Sequence, residues 1–268
     1  MRITPVILLL IIQVTILLFA CSSDDASRSR LDRGILWVRD AAEFDAITMQ
    51  VYRAAGDDLA GLLADKSWTA LPGQSNYGQL PPAIIFDVDE TLVNHVEFQA
   101  TFEPPFTNAK LHEWNANNAS TPVPGAPAFV RLAREQGVEV FFLTNRPCEP
   151  IEGVYESCPQ EAVTVGDLVE AGIPADSDNV MLANERPDWD REKVIRRNLI
   201  AQDYRIVMVI GDDLSDFIPC VRKKVHKPCT EAATLASRQK QTELYERYWG
   251  AGWYVLPNPM HGSWTTFE

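Results

Sequence analysis

Five short apolar runs recur along the chain: AIIFD (83–87), VEVFFLT (138–144), NVMLA (179–183), RIVMVIGD (205–212) and WYVLP (253–257). Each is too short for an ordinary helix and is apolar nearly throughout instead of alternating, which is the pattern of a strand buried on both faces. Between them lie stretches with helical character at about 125–136 after VPGAP, 165–171, 189–201 and 230–248. Buried strands alternating with helices predict a parallel sheet covered on both sides, an α/β fold. In such sheets a ligand lies beyond the carboxyl ends of the strands. The polar residues that follow each run are therefore the place to look for chemistry.

Upstream of the first run, ILWVRDAAEFDAITMQVYRAAGDDLAGLLA places Phe44, Ile47, Val51, Ala55, Leu59 and Leu62 at helical spacing with charges between them, so residues 35–80 are expected to add a helical segment. It ends in the loop-forming stretch LPGQSNYGQLPP, 71–82. The hydrophobic run from Ile3 to Ala20 looks like a bacterial signal peptide, residues 1–20, and its length also permits an uncleaved membrane anchor. Leu18, Ala20 and Cys21 resemble a lipobox, which implies lipidation of Cys21 and a polar tether over 21–34. An exported, membrane-anchored lipoprotein, periplasmic or at the outer membrane or cell surface, is the expectation. Residues 81–268 then form the core, with a small cap insert at about 94–124.

Export makes the other cysteines readable. Cys148, Cys158, Cys220 and Cys229 form two locally spaced pairs, and disulfides 148–158 and 220–229 are expected, although four cysteines allow three connectivities. The net charge of −13 disfavours nucleic-acid polymers and anionic membrane surfaces as partners.

The sharpest signal is AIIFDVDETLVNH, 83–95, where a buried strand delivers Asp87, Asp89 and Glu90 together. Thr144, Asn145 and Arg146 follow the second run, and Asp212, Asp213 and Asp216 follow the fourth. Two carboxylates about 4 Å apart repel by roughly 4 kcal/mol at an effective dielectric of about 20. Either some are protonated or a cation sits among them, and an all-oxygen donor set without His or Cys suits Mg²⁺. A carboxylate beside such a cation can attack phosphorus, with a second acid two residues on handling the proton. Thr144 can donate to a phosphoryl oxygen, and Lys193 can neutralise its charge.

The segments FDVDETL, FFLTNR, KVIR and VIGDDLSDF resemble, in order, the four motifs of the haloacid-dehalogenase (HAD) superfamily of phosphohydrolases. More narrowly, DVDETLVNHVEF, VMVIGDDLSDF and VLPNPMHGSW resemble the bacterial class C acid phosphatases of subfamily IIIB, exported lipoproteins that also act as 5′-nucleotidases. The resemblance runs from about Ile35 to Trp264. It implies a HAD-like Rossmannoid sheet with a small additional helical region. Asp87 matches the nucleophile and Asp89 the general acid/base, with Mg²⁺ held by Asp87, Asp89 through its backbone carbonyl, and Asp212. Asp216 would support the metal site from behind. Thr144, Lys193 and also Asn145 match the phosphoryl-binding groups. Phe98, Trp114 and His261 match aromatic positions that stack on a nucleoside base, two of them in place of the usual Tyr. His95 and Asp213 each replace a usual Asn or Thr.

Each residue also has a plainer reading. Asp87 and Asp89 can cap a turn, Thr144 a loop, and Lys193 can be a solvated helix residue with Arg196 and Arg197 as rivals. Phe98 and Trp114 can be core aromatics, His261 can be structural, Asp213 reads best as a turn acid, and His112 and His226 read as surface residues. The function implied is a Mg²⁺-dependent acid phosphomonoesterase for small phosphomonoesters, nucleoside 5′-monophosphates included. A non-catalytic surface lipoprotein of the same fold and a phosphotransferase are the competing readings.

Overall fold

The computed structural model describes residues 33–117 and 120–267. The expected signal peptide, most of the tether and the lipidation site Cys21 lie outside them. Among the described residues no helix is long and apolar enough to cross a membrane.

The five apolar runs form one five-stranded parallel sheet. Its strands are β1 (Pro82–Phe86), β4 (Glu139–Pro147), β5 (Val180–Ala183), β6 (Arg205–Gly211) and β7 (Trp253–Val255), in the spatial order β5-β4-β1-β6-β7. β1 pairs with β4 on one side and β6 on the other, so the direction of winding reverses beside it. Successive residues of β1 face opposite ways. Ile84 and Phe86 join one hydrophobic cluster, and Ala83 and Ile85 join the other.

Helix α1 (Ala42–Ala64) packs on the first cluster with α4 (Ala126–Glu135) and α5 (Pro159–Glu170). α1 buries Phe44, Thr48, Tyr52, Ala55 and Leu59. Ile47 is exposed instead. The helix is rotated from its purely apolar face because Tyr52 serves a polar purpose, donating to the Thr91 carbonyl at 2.7 Å. Gly125, at φ 96, lets α4 start against α1, since a side chain there would meet Tyr52 Cβ at 3.0 Å. On the second face lie α6 (Val194–Asp203) and an aromatic group built on Trp253, whose rings include Tyr248 at 4.7 Å and Trp249 at 5.0 Å.

The insert after β1 holds a short antiparallel pair, β2 (Val93–Asn94) with β3 (Thr121–Pro122), and helices α2 (Val96–Thr101) and α3 (Asn108–Asn117). Helices α7 (Leu214–Phe217) and α8 (Leu235–Leu244) follow β6. Residues 33–40 are already helical, and a Cβ on Gly34 would meet the Pro259 carbonyl oxygen at 2.3 Å, so this segment lies against the C-terminal loop. Both cysteine pairs are bonded as expected, Cys148–Cys158 and Cys220–Cys229.

Candidate active site

Parallel pairing carries the chain one residue past β1, where the Asp87 amide donates to the Ile210 carbonyl at 2.9 Å. Asp87 is thus held by the sheet itself at the switch in winding, where ligands of open α/β folds collect. The other motif residues reach the same place from β6 and from the start of α6. Lys193 is 2% exposed and forms ion pairs with Asp87 and with Asp216 Oδ1, the latter at 2.7 Å. It is no solvated helix residue. Burial alone would lower its pKa, but Asp216 and Asp87 outweigh burial and raise it.

Carboxylate oxygens of Asp87, Asp212 and Asp216 all lie within 4.8 Å of one another. Burial first, and then the neighbouring Asp216 and Asp89, push Asp87 up to about 7 despite Lys193. Asp212 is driven well above the carboxylate range by burial and by Asp87 and Asp216. Three acids facing one ammonium leave negative charge uncompensated, and every donor is a hard oxygen, so the set fits a divalent cation. Asn258 donates to Asp212 Oδ2 at 2.7 Å, and Thr91 donates to Asp87 Oδ2 at 3.2 Å.

The GDDLSD sequence explains how Asp216 comes so near. Gly211 has no side chain, and a Cβ there would strike Asp216 Oδ2 at 2.4 Å. Asp213 does act as the turn acid, capping α7 through the Ser215 amide at 2.9 Å while Asp216 accepts from the Asp213 amide at 3.0 Å. Asp213 also accepts from Ser263 Oγ at 2.8 Å, tying the C-terminal loop to the site.

Asp89 is set differently. Arg146 donates through Nε at 2.9 Å and its Nη2 stands 2.8 Å from the same oxygen, Thr144 Oγ1 donates to the other at 3.1 Å, and His95 lies 3.4 Å away. Burial alone would raise Asp89; Arg146 and His95 together hold it below its usual value. Arg146 is itself buried, its Nη1 donating to Asp167 at 2.5 Å and Thr164 at 3.2 Å. Sequence reasoning placed Arg146 at the strand end without giving it a task, and the buried Asp167 that anchors it carries no local signal because α5 brings it from afar.

Thr144 and Asn145 diverge. Thr144 is fully buried with its hydroxyl on Asp89, whereas Asn145 lines the open cavity with its Oδ1 accepting from Arg196 at 3.2 Å. Arg196 and Arg197, the rivals to Lys193, are buried instead. Arg196 donates to the Thr144 and Met181 carbonyls at 2.6 and 2.9 Å, and Arg197 to the Asp216 carbonyl.

These groups open into a cavity of about 730 Å³ lined by Asp87, Asp89, Asp212, Asn145 and His261. The aromatic positions need correction. Phe98 is 2% exposed and does not reach the cavity wall, and Trp114 packs against it at 5.9 Å and against His95 at 5.7 Å. The insert turns Phe98 inward to close its own small core, and the rings that face the cavity are Phe102 and Phe106. His112 also lines the cavity, and His226 is tied to Asp190 at 2.9 Å, so neither is a free surface residue.

A parallel sheet that gathers acids, a buried lysine and a deep cavity at its carboxyl edge defines the chain as a Rossmann-like phosphohydrolase. Its sequence matches the profile of the HAD superfamily, subfamily IIIB (acid phosphatase) over residues 62–264. The chain belongs to that family, and its established chemistry is that of a phosphomonoesterase. Among solved structures it is similar to the class C acid phosphatase from Bacillus anthracis with tungstate bound, at 24% identity and a TM-score of 0.69 over 87% of this chain and 86% of that one. A second structure of the Bacillus anthracis class C acid phosphatase matches at 24% identity and a TM-score of 0.67 over the same shares. At this identity the likeness concerns the fold.

Proposed function

We propose that the protein is an exported, Mg²⁺-dependent acid phosphomonoesterase that hydrolyses small organic phosphates, nucleoside 5′-monophosphates among them, through an aspartyl-phosphate on Asp87. The observation that carries this reading is the meeting of Asp87, Asp212 and Asp216 in the wall of one cavity, with the buried Lys193 paired to Asp87 and Asp216 behind them. Asp87, Asp212 and the Asp89 backbone carbonyl would hold Mg²⁺, with Asp216 behind them. When bound, the ion neutralises the acids and the charge of the phosphate group.

Asp87, poised by Lys193 and Thr91, attacks phosphorus as the bond to the leaving oxygen breaks, and Asp89 gives that oxygen its proton. Asp89 then takes a proton from water, whose oxygen attacks phosphorus and releases inorganic phosphate and free Asp87. Arg146 and Thr144 keep the Asp89 carboxyl aimed between these partners. Because Arg146 and His95 hold Asp89 low, its protonated form grows only as the pH falls, which favours an acidic working range. Asn145 lines the cavity where the phosphoryl group would sit, Lys193 acts through its ion pair with Asp87, Thr144 acts through Asp89, and Phe102, Phe106 and His261 offer the surface for a base.

The test is a phosphate-release screen over nucleotides and sugar phosphates, with Mg²⁺ and with EDTA. Release is expected only with Mg²⁺, and Asp87→Asn is expected to lower kcat by at least about a thousandfold, a loss of ~4 kcal/mol in transition-state stabilisation. Substantial Mg²⁺-dependent turnover by Asp87→Asn would overturn the mechanism. Anchoring through Cys21 is tested by mass spectrometry of membrane-extracted protein, where an unmodified N-terminus at Ser22 or later refutes it.

A further inference from the structure

The cavity carries two cations that phosphoryl transfer at Asp87 leaves unused. Arg191 lies just before Lys193, and Arg222 sits in the loop closed by Cys220–Cys229; both are half-buried in the cavity wall. Among the described residues, the Arg191 side chain makes no hydrogen bond or ion pair. Arg222 donates to Ser215 Oγ at 2.5 Å, but its Nε is buried without a partner. The two strands of chain are fastened together, because the Cys220 amide donates to Glu192 at 3.1 Å, joining the neighbour of Arg191 to the loop of Arg222.

The nearby acids are engaged elsewhere. Asp190 accepts from the Arg191 and Lys227 amides at 2.7 and 3.1 Å and pairs with His226, and Asp213 is taken by Ser215 and Ser263. Glu149 lies at the exposed rim. Burial first, and then the charge of Arg222, lower the pKa of Arg191, and the attraction of Asp190 and Glu149 offsets this only in part. In a chain of net charge −13, two mutually repelling guanidiniums with unfilled donors are unfavourable until an anion joins them. A guanidinium fork matches the oxygens of a phosphate in pairs.

We propose that Arg191 and Arg222 form a second anion subsite, so that the preferred substrate is a small molecule bearing a second phosphate besides the one hydrolysed at Asp87. The proposal rests on the phosphatase reading for the first phosphate, with Arg191 and Arg222 reserved for the second.

Binding is measured by calorimetry on the full chain in Mg²⁺ carrying Asp87→Asn, which cannot form the covalent adduct. Adenosine 3′,5′-bisphosphate and adenosine 5′-monophosphate are the probes, differing only in the second phosphate. The bisphosphate is expected to bind at least about tenfold tighter, equivalent to ~1.4 kcal/mol. Adding Arg191→Gln and Arg222→Gln is expected to abolish that preference while leaving monophosphate affinity within about twofold. Arg191→Gln alone, which breaks no hydrogen bond, should remove part of it and serves if the combined variant misfolds. Equal affinity for the two probes overturns the subsite. Equal weakening of both in the variants also overturns it and assigns the arginines to the transferring phosphate. Turnover of the monophosphate by the unsubstituted enzyme reports separately on the phosphatase reading.

Discussion

Glu90 lies in the left-handed region at φ 61, an unfavourable place for a residue with a side chain. Its buried carboxylate stands 3.3 Å from His95 Nδ1 and 3.0 Å from His261 Nε2, and it accepts from the His95 amide at 3.1 Å. The third acid of the opening cluster thereby joins the insert and the C-terminal loop to the turn that carries Asp87 and Asp89. Burial would raise Glu90, and His261 and His95 hold it low; burial would lower His261, and Glu90 raises it. For a histidine raised in the folded state, the stabilisation is full below its ordinary value of 6.5 and is lost as the pH climbs through the raised value. His261→Asn should therefore lower Tm most below pH 6.5 and least in alkaline buffer. A Tm difference that is flat with pH would show that the Glu90–His261 pair is not ionic.

At the scale of elements, α1 is part of the core, not an ornament on it. Ala55 and Leu59 are fully buried, Tyr52 packs against Phe129 at 5.8 Å, and its hydroxyl reaches the turn that carries the acids. Leu59→Ala should cost about 2–5 kcal/mol of stability by denaturant unfolding. A loss under about 1 kcal/mol would make α1 peripheral. The helix was legible from its spacing, but its rotation was not, since Tyr52 turns inward for a carbonyl that only the folded chain supplies. The insert shows the same limit. Phe98, Phe102, Phe106 and Trp114 are alike as sequence, and which ring faces the cavity follows from how α2 and α3 close over one another.

For the whole molecule, the proposed function makes the acid cluster a link between folding and cation binding. Mg²⁺ at 100 times its Kd should stabilise the protein by ~2.7 kcal/mol, and EDTA should reverse the shift. Asp212→Asn should blunt the response and raise the metal-free Tm at pH values above the ordinary 3.8 of an aspartate, because a carboxyl that the fold drives upward costs stability there whether it takes up a proton or stays charged. A variant that still gains full stability from Mg²⁺ would place the ion elsewhere. The sequence by itself determined the parallel sheet, the strand ends that carry chemistry and the acid pair, because strand burial and motif order are local properties, and its short cysteine spacings pointed to the pairing that the fold then settled. Only the tertiary structure decided that Arg146 reaches Asp89, that Lys193 bridges Asp87 and Asp216, and that Arg191 and Arg222 line one cavity. Those contacts join residues distant in the chain, and burial and electrostatics acquire a value only once the fold has set the distances.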